Sequence, residues 1–193
     1  YRGYMTHKDS LGNEDTIGDG EVQWMTAGSG IMHEEKLPAA ERLLGLQLWL
    51  NLPAKDKMAP PAYHSIKNAD ITEIDLNWGK LRLLAGEFEG ERGYMSKYLP
   101  LDYYDLHINP SESVIINTER ERSVMLFTLL GNVYISGEWV KEKTAVKLTI
   151  GDQVEIKATD EKAQVLFVSS KRLDEPVAWG GPIVMNTREE LNK

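Results

Sequence analysis

The chain has 193 residues, enough for one large or two small domains, and 41% are hydrophobic, ordinary for a protein with a buried core. The formal net charge is −8 and no basic cluster offsets it, so the surface repels nucleic-acid backbones. There are no cysteines, which excludes disulfides, thiolate nucleophiles and thiolate-held metals, and no apolar run approaches the roughly 20 residues of a membrane-spanning helix.

No direct nucleic-acid contact, no membrane insertion and a cytoplasmic location are expected on these grounds, and the chain is expected to be a monomer. No signal peptide is visible. The start on Tyr1-Arg2-Gly3 rather than Met leaves room for a leader or a longer N-terminus, so the chain is expected to be truncated or incompletely covered.

His7 falls on a predicted strand near Asp9, where a hydrogen-bonded structural histidine is the plain reading and a replacement metal ligand the alternative. Thr16-Ile17-Gly18-Asp19 follows, and its sequence recurs as Thr149-Ile150-Gly151-Asp152. A four-residue echo is weak by itself. Between two strand-rich halves it suggests a duplicated barrel.

The glycine turn Ala27-Gly28-Ser29-Gly30 leads into Ile31-Met32-His33-Glu34-Glu35. If this stretch is extended, alternate side chains share a face, so His33 and Glu35 reach one point in space. Imidazole nitrogen and carboxylate oxygen both suit a divalent metal such as Fe, Mn, Ni or Zn. The bland reading is a charged surface loop. Glu34 should point the other way, into solvent or a salt bridge.

Leu44 to Leu52 alternates with leucine at every second position, a strand pattern. The proline-rich stretch 53–61 leaves the first half, and the polar stretch 65–75 is the expected connection. His64 and His107 are isolated, with Asp105 two residues from His107 as a hydrogen-bond partner. Glu119-Arg120-Glu121-Arg122 reads as a solvated strand or turn. Residues 123–130, 132–136 and 163–169 read as strands, with a turn at Ser136-Gly137-Glu138. Thr187-x-x-Glu190 has the capping-box pattern and starts a short C-terminal helix. Trp24, Met25, Met32, Gln47 and Trp49 either line a small-molecule cavity or belong to ordinary core. No nucleophile elbow, phosphate loop or dinucleotide fingerprint occurs.

Gln23-Trp24-Met25-Thr26-Ala27-Gly28-Ser29-Gly30-Ile31-Met32-His33, followed by Gly45 to Leu52, resembles the pirin family of bicupins. His7-Lys8-Asp9-Ser10, Glu175-Pro176-Val177-Ala178-Trp179-Gly180-Gly181-Pro182 and Val184-Met185-Asn186-Thr187 extend the resemblance over the whole chain.

The resemblance implies an all-β fold of two tandem cupin barrels, each a double-stranded β-helix, with a short C-terminal helix. Residues 1–66 would form a partial N-terminal cupin and residues 72–193 the C-terminal cupin. It implies one mononuclear metal, most often Fe(II), in the first barrel and none in the second. The ligands are a His-x-His pair, a third histidine and a glutamate. The last two carry over to His33 and Glu35, with Glu35 doubling as catalytic base. The His-x-His pair is absent here, so metal in this chain is expected to be weakly bound or missing. Several pirins resemble quercetin 2,3-dioxygenases, which open a flavonol with O₂, and others act as regulators through protein partners. The expected function is therefore a flavonol oxygenase in the intact form. A non-catalytic, metal-dependent regulator and an inert scaffold with a broken site are the alternatives.

Overall fold

The structure is a computed structural model and describes residues 1–192. Its contacts divide the chain into two compact units, one formed by residues 1–70 with the segment from Leu173 onward, the other by Ile71–Arg172.

The first unit opens with β1 (Met5–Asp9), β2 (Glu14–Ile17), β3 (Val22–Thr26), β4 (His33–Lys36) and β5 (Ala62–Ile66). β1 is the centre of a three-stranded sheet, between β2 and β4, and β3 pairs with β5 in a separate ribbon. All these pairings are antiparallel.

The glycine turn before β4 is seated on the 59–60 segment. The Ser29 N–H donates to the Ala59 carbonyl at 2.8 Å. Gly28 has φ +53°, and a Cβ there would collide with that same carbonyl oxygen. Only glycine meets both conditions without strain.

The alternating leucines of 44–52 do not form the expected strand. Arg2 and Leu44 exchange two backbone hydrogen bonds of 3.1 and 3.0 Å in an isolated bridge, and residues 45–52 join no ladder. Alternation specifies which side chains share a face. A strand also needs a neighbouring backbone to receive its N–H and C=O groups. Here the neighbouring backbone is Arg2, with the Tyr1 amino group also donating to the Leu44 carbonyl at 2.8 Å, and both meet Leu44 alone.

The second unit holds β6 (Thr72–Leu76), β7 (Gly79–Ala85), the short hairpin β8 (Glu87–Phe88) and β9 (Glu91–Arg92), β10 (Leu101–Ile108), β11 (Ser113–Asn117), β12 (Arg122–Leu130), β13 (Val133–Ile135), β14 (Glu138–Val140), β15 (Ala145–Lys147), β16 (Gln153–Ala158) and β17 (Ala163–Lys171). They form a six-stranded sheet, β15-β12-β17-β10-β7-β6, and a four-stranded sheet, β11-β16-β13-β14. The core lies between them. Leu83, Leu106, Leu126, Val165 and Phe167 come from the larger sheet, and Ile116, Val133 and Ile156 from the smaller. β11 and β16 alternate buried and exposed residues strictly, as a sheet with one wet face requires. The expected turn closes the β13–β14 hairpin, with Ser136 at φ +48° and Gly137 at φ +86°.

The break between units falls after Asp70, inside the polar stretch expected to connect them, but that stretch is shorter than expected. Ser65 and Ile66 complete β5, and Thr72 begins β6. The sequence echo has no structural counterpart: Ile17 ends β2 as a buried residue, whereas Ile150 is 63% exposed outside any strand.

The returning segment of the first unit contains β18 (Ala178–Gly180), β19 (Ile183–Met185) and α1 (Arg188–Leu191). A complete capping box starts the helix: Thr187 Oγ1 accepts the Glu190 N–H at 3.2 Å while Glu190 Oε2 accepts the Thr187 N–H at 2.9 Å. The Glu175 carboxylate ties this segment back by accepting the Ala54 N–H at 2.7 Å.

Candidate metal centre

β4 brings His33 and Glu35 to one face, as their spacing predicts. The ladder between β1 and β4 adds what spacing could not. Glu35 lies opposite His7, and His33 opposite Asp9. Directly opposed residues of an antiparallel pair share a face, so His7, Asp9, His33 and Glu35 all project from the same side. β2 places Asp15 beside His7 on that side. The other side carries Thr6, Lys8, Glu14, Glu34 and Lys36. Lys8 meets Glu14 at 3.1 Å and Lys36 meets Glu34 at 3.5 Å, so Glu34 takes the salt-bridge role expected of it.

The four residues of the shared face differ sharply in solvation. The His7 and Asp9 side chains are 1% and 0% exposed, whereas every residue of β4 is exposed. Asp9 is the anchor. One carboxylate oxygen accepts the N–H groups of Leu11 and Asn13 at 2.9 and 3.1 Å, and the other accepts Asn13 Nδ2 at 2.8 Å and meets His7 Nε2 at 3.1 Å. Burial pushes the Asp9 pKa up, but these hydrogen bonds outweigh it and hold the carboxyl down at about 2. Asp9 is thus ionised and offers only acceptors, so His7 Nε2 is the donor. His7 Nδ1 is buried without a hydrogen-bond partner among the described residues.

Tyr63, from β5, covers this pair. Its ring stacks on the His7 ring with centroids 4.1 Å apart and planes 7° apart. Its hydroxyl donates to Asp15 at 3.3 Å. Burial, followed by the Asp15 charge, raises the Tyr63 pKa, so the phenol stays protonated. The His33 ring lies 5.8 Å from the His7 ring, 23° from parallel.

The donors present suit a divalent metal in kind, one imidazole and one carboxylate on a solvent-open face. They do not suit it in number. Among the described residues no group of three His, Cys, Asp or Glu side chains converges on one point. Asp9 is saturated by its own turn. His33 and Glu35 are two ligands of a shell that these residues do not close.

An open depression of about 300 Å³ adjoins His33, lined by Lys8, Asp9, Ser10, Met32, His33 and Glu34. Of the five residues weighed as cavity-lining, it gathers only Met32. Trp24 and Met25 are half-buried on β3. Trp49 is exposed and donates its indole N–H to Gln47 at 3.1 Å. His64 sits on β5 opposite Trp24. His107 meets the buried Asp105 at 3.1 Å, a carboxylate that also accepts Arg82 at 3.3 Å and Gln164 at 2.9 Å. Arg122, grouped in the sequence with solvated charges, is instead partly buried and meets Asp102 at 2.7 Å and Ser169 at 2.8 Å.

The family model described as "Pirin" matches residues 1–50, and that of the "Pirin C-terminal cupin domain" matches residues 103–193. A protein of Pseudomonas aeruginosa named "Putative quercetin 2,3-dioxygenase PA2418" is 35% identical over 201 residues, covering 100% of this chain and 70% of that protein. The chain belongs to the pirin family. The crystal structure of a quercetin 2,3-dioxygenase from Acinetobacter baumannii superposes with a TM-score of 0.87 at 31% identity, over 100% of this chain and 69% of the other. The bacterial pirin YhhW from Escherichia coli, solved in complex with nickel(II), matches in fold, with a TM-score of 0.65 at 20% identity over 89% of this chain and 70% of that one. The all-β bicupin fold expected of a pirin is thereby the fold of this chain. Among the described residues no helix is long and apolar enough to cross a membrane.

The sequence pointed to His33 and Glu35 but gave no sign of Tyr63 or Asp15. Their place beside His7 depends on strand register and on β5 crossing the sheet face. Neither leaves a local motif.

Proposed function

We propose that this pirin acts as a quercetin 2,3-dioxygenase-type oxygenase in which β4 contributes His33 and Glu35 to the metal shell. In this reading residues 1–66 belong to the N-terminal cupin that carries the metal and residues 72–193 to the C-terminal cupin, whose closing segment from Leu173 packs in the first unit. The resident ion is Fe(II), the substrate a flavonol-like small molecule, and the setting a reducing cytoplasm. The observation that carries the reading is the exposed imidazole–carboxylate pair on one pleat, beside an open depression.

A divalent metal there would acidify a bound flavonol hydroxyl and so prepare the ring for O₂. Glu35 is exposed and close enough in sequence and face to His33 to take that hydroxyl proton. Met32, 79% exposed at the rim of the depression, offers apolar contact to a flat aromatic ring. The test is anaerobic loading of the protein with Fe(II), quantification of bound iron, then addition of quercetin and air. Loss of flavonol absorbance with release of carbon monoxide supports the reading. Stoichiometric iron with unchanged absorbance overturns it.

A second reading, a metal-dependent regulator, is favoured by one observation. Leu43, Leu46, Leu48 and Trp49 leave apolar surface exposed along one stretch, as protein-contact segments do. A pull-down whose retained proteins change with metal loading supports it, and an unchanged set counts against it.

A further inference from the structure

We propose that His7 is a positioning residue for His33: its buried ring, held by Asp9 and Tyr63, fixes the plane of the neighbouring imidazole. The proposal rests on His33 being a metal ligand, and its test separates the two ideas.

Three features converge on it. First, His7 cannot turn over. Its Nε2 donates to a carboxylate that has no proton to return, and a ring flip would forfeit that bond. Second, hydrogen bonding to the protein occupies only one edge of the ring, since Nδ1 is buried without a protein partner among the described residues. Third, the faces of the ring are in use. Tyr63 stacks at 4.1 Å and His33 approaches at 5.8 Å with planes 23° apart, inside the range where flat rings orient one another.

His33 needs such support because its strand is exposed throughout. Exposed side chains exchange rotamers within nanoseconds. A ligand already held in one orientation binds a metal more tightly than one that must be ordered on binding. The clamp on His7 is rigid because it is built from local chain: Asp9, two residues away, is fixed by its own turn through Leu11 and Asn13.

The experiment compares the full chain with H7L, H7Q and H7F. H7Q keeps a donor for Asp9 but removes the ring, and H7F keeps a ring but removes the donor. Side-chain couplings of isotope-labelled histidine give the χ1 populations of His33 without metal, and calorimetry gives the affinity for Ni(II). The expected result is one dominant χ1 well in the wild type and a partly averaged one in H7F, which keeps the stack on Tyr63 but loses the bond to Asp9. In H7L and H7Q the wells should average, with Ni(II) affinity lower by about ten-fold. A purely structural His7 would lower the melting temperature and leave His33 unmoved; unchanged χ1 populations in H7Q overturn the proposal even if H7L fails to fold. Should H33A bind Ni(II) as well as the wild type does, the ligand assignment falls, while the χ1 result still decides the role of His7.

Discussion

Glu35 stands directly opposite His7 across the β1–β4 ladder, so an exposed carboxylate and a buried imidazole share one sheet face. The contrast separates what each residue does for the fold. His33 and Glu35, being exposed, contribute little to stability. H33A and E35Q are each expected to change unfolding free energy by no more than about 0.5 kcal/mol. Both should weaken divalent-metal binding, since each removes one of two donors. Urea unfolding and Ni(II) calorimetry on the same samples check the pair of statements, and a large stability loss from E35Q would contradict them.

Asp105 shows the opposite balance. Its side chain is fully buried and accepts from Arg82, His107 and Gln164. Removing it takes one acceptor from a guanidinium that is itself almost buried and that Glu73 still meets at 3.0 Å. D105A is expected to cost up to about 3 kcal/mol, the range for losing hydrogen bonds to a charged group, rather than the larger penalty of an isolated buried charge. D105N keeps the shape and two acceptor lone pairs and should cost less. Chemical denaturation of the two variants orders them.

Legibility of the sequence followed the range of the interaction. The second unit was readable where its strands carry their own evidence, as in 123–130 and 163–169, whose dense apolar runs became β12 and β17, while β11 and β16 went unread although their residues alternate. The capping box at Thr187 is equally local. Leu44 to Leu52 misled because a strand requires a partner, which no periodicity reports. The echo at 16–19 and 149–152 does not mark equivalent positions, since Ile17 is buried in β2 and Ile150 exposed outside any strand, yet the duplicated barrel it suggested is the fold of the chain. At the candidate site, a two-residue spacing sufficed to put His33 and Glu35 on one strand face. Tyr63, 30 positions beyond His33 in sequence, arrives only through the β3–β5 ribbon.

Glu73 predicts an acid limb in the stability of the second unit. Hydrogen bonding from Lys80 at 2.7 Å, opposed by partial burial and helped by Arg82 at 3.0 Å, lowers its pKa from the ordinary 4.5. A carboxyl with a lowered folded pKa binds fewer protons folded than unfolded between the two values. Its contribution is therefore complete above about pH 4.5 and fades as pH falls through the lowered value. The melting temperature of E73Q should lie below that of the wild type at pH 7, and the gap should close as the pH is lowered past 4. A gap that widens on acidification would show that the pair does not act this way.

The approach to β4 gives the last expectation. Gly28 and Gly30 both have positive φ, +53° and +127°, but their surroundings differ. A Cβ at Gly28 strikes the Ala59 carbonyl that receives the Ser29 N–H, whereas one at Gly30 meets nothing within 4 Å. Alanine at either position carries a backbone penalty. Only at Gly28 must the turn also leave its seat. G28A should therefore lose more than about 1 kcal/mol and more than G30A. Because the turn delivers the chain to His33, G28A should also disturb the His33 ring signals, and G30A less so. Denaturant midpoints and histidine spectra of the two variants test this together. Equal losses would mean that the Gly28–Ala59 contact does not position β4.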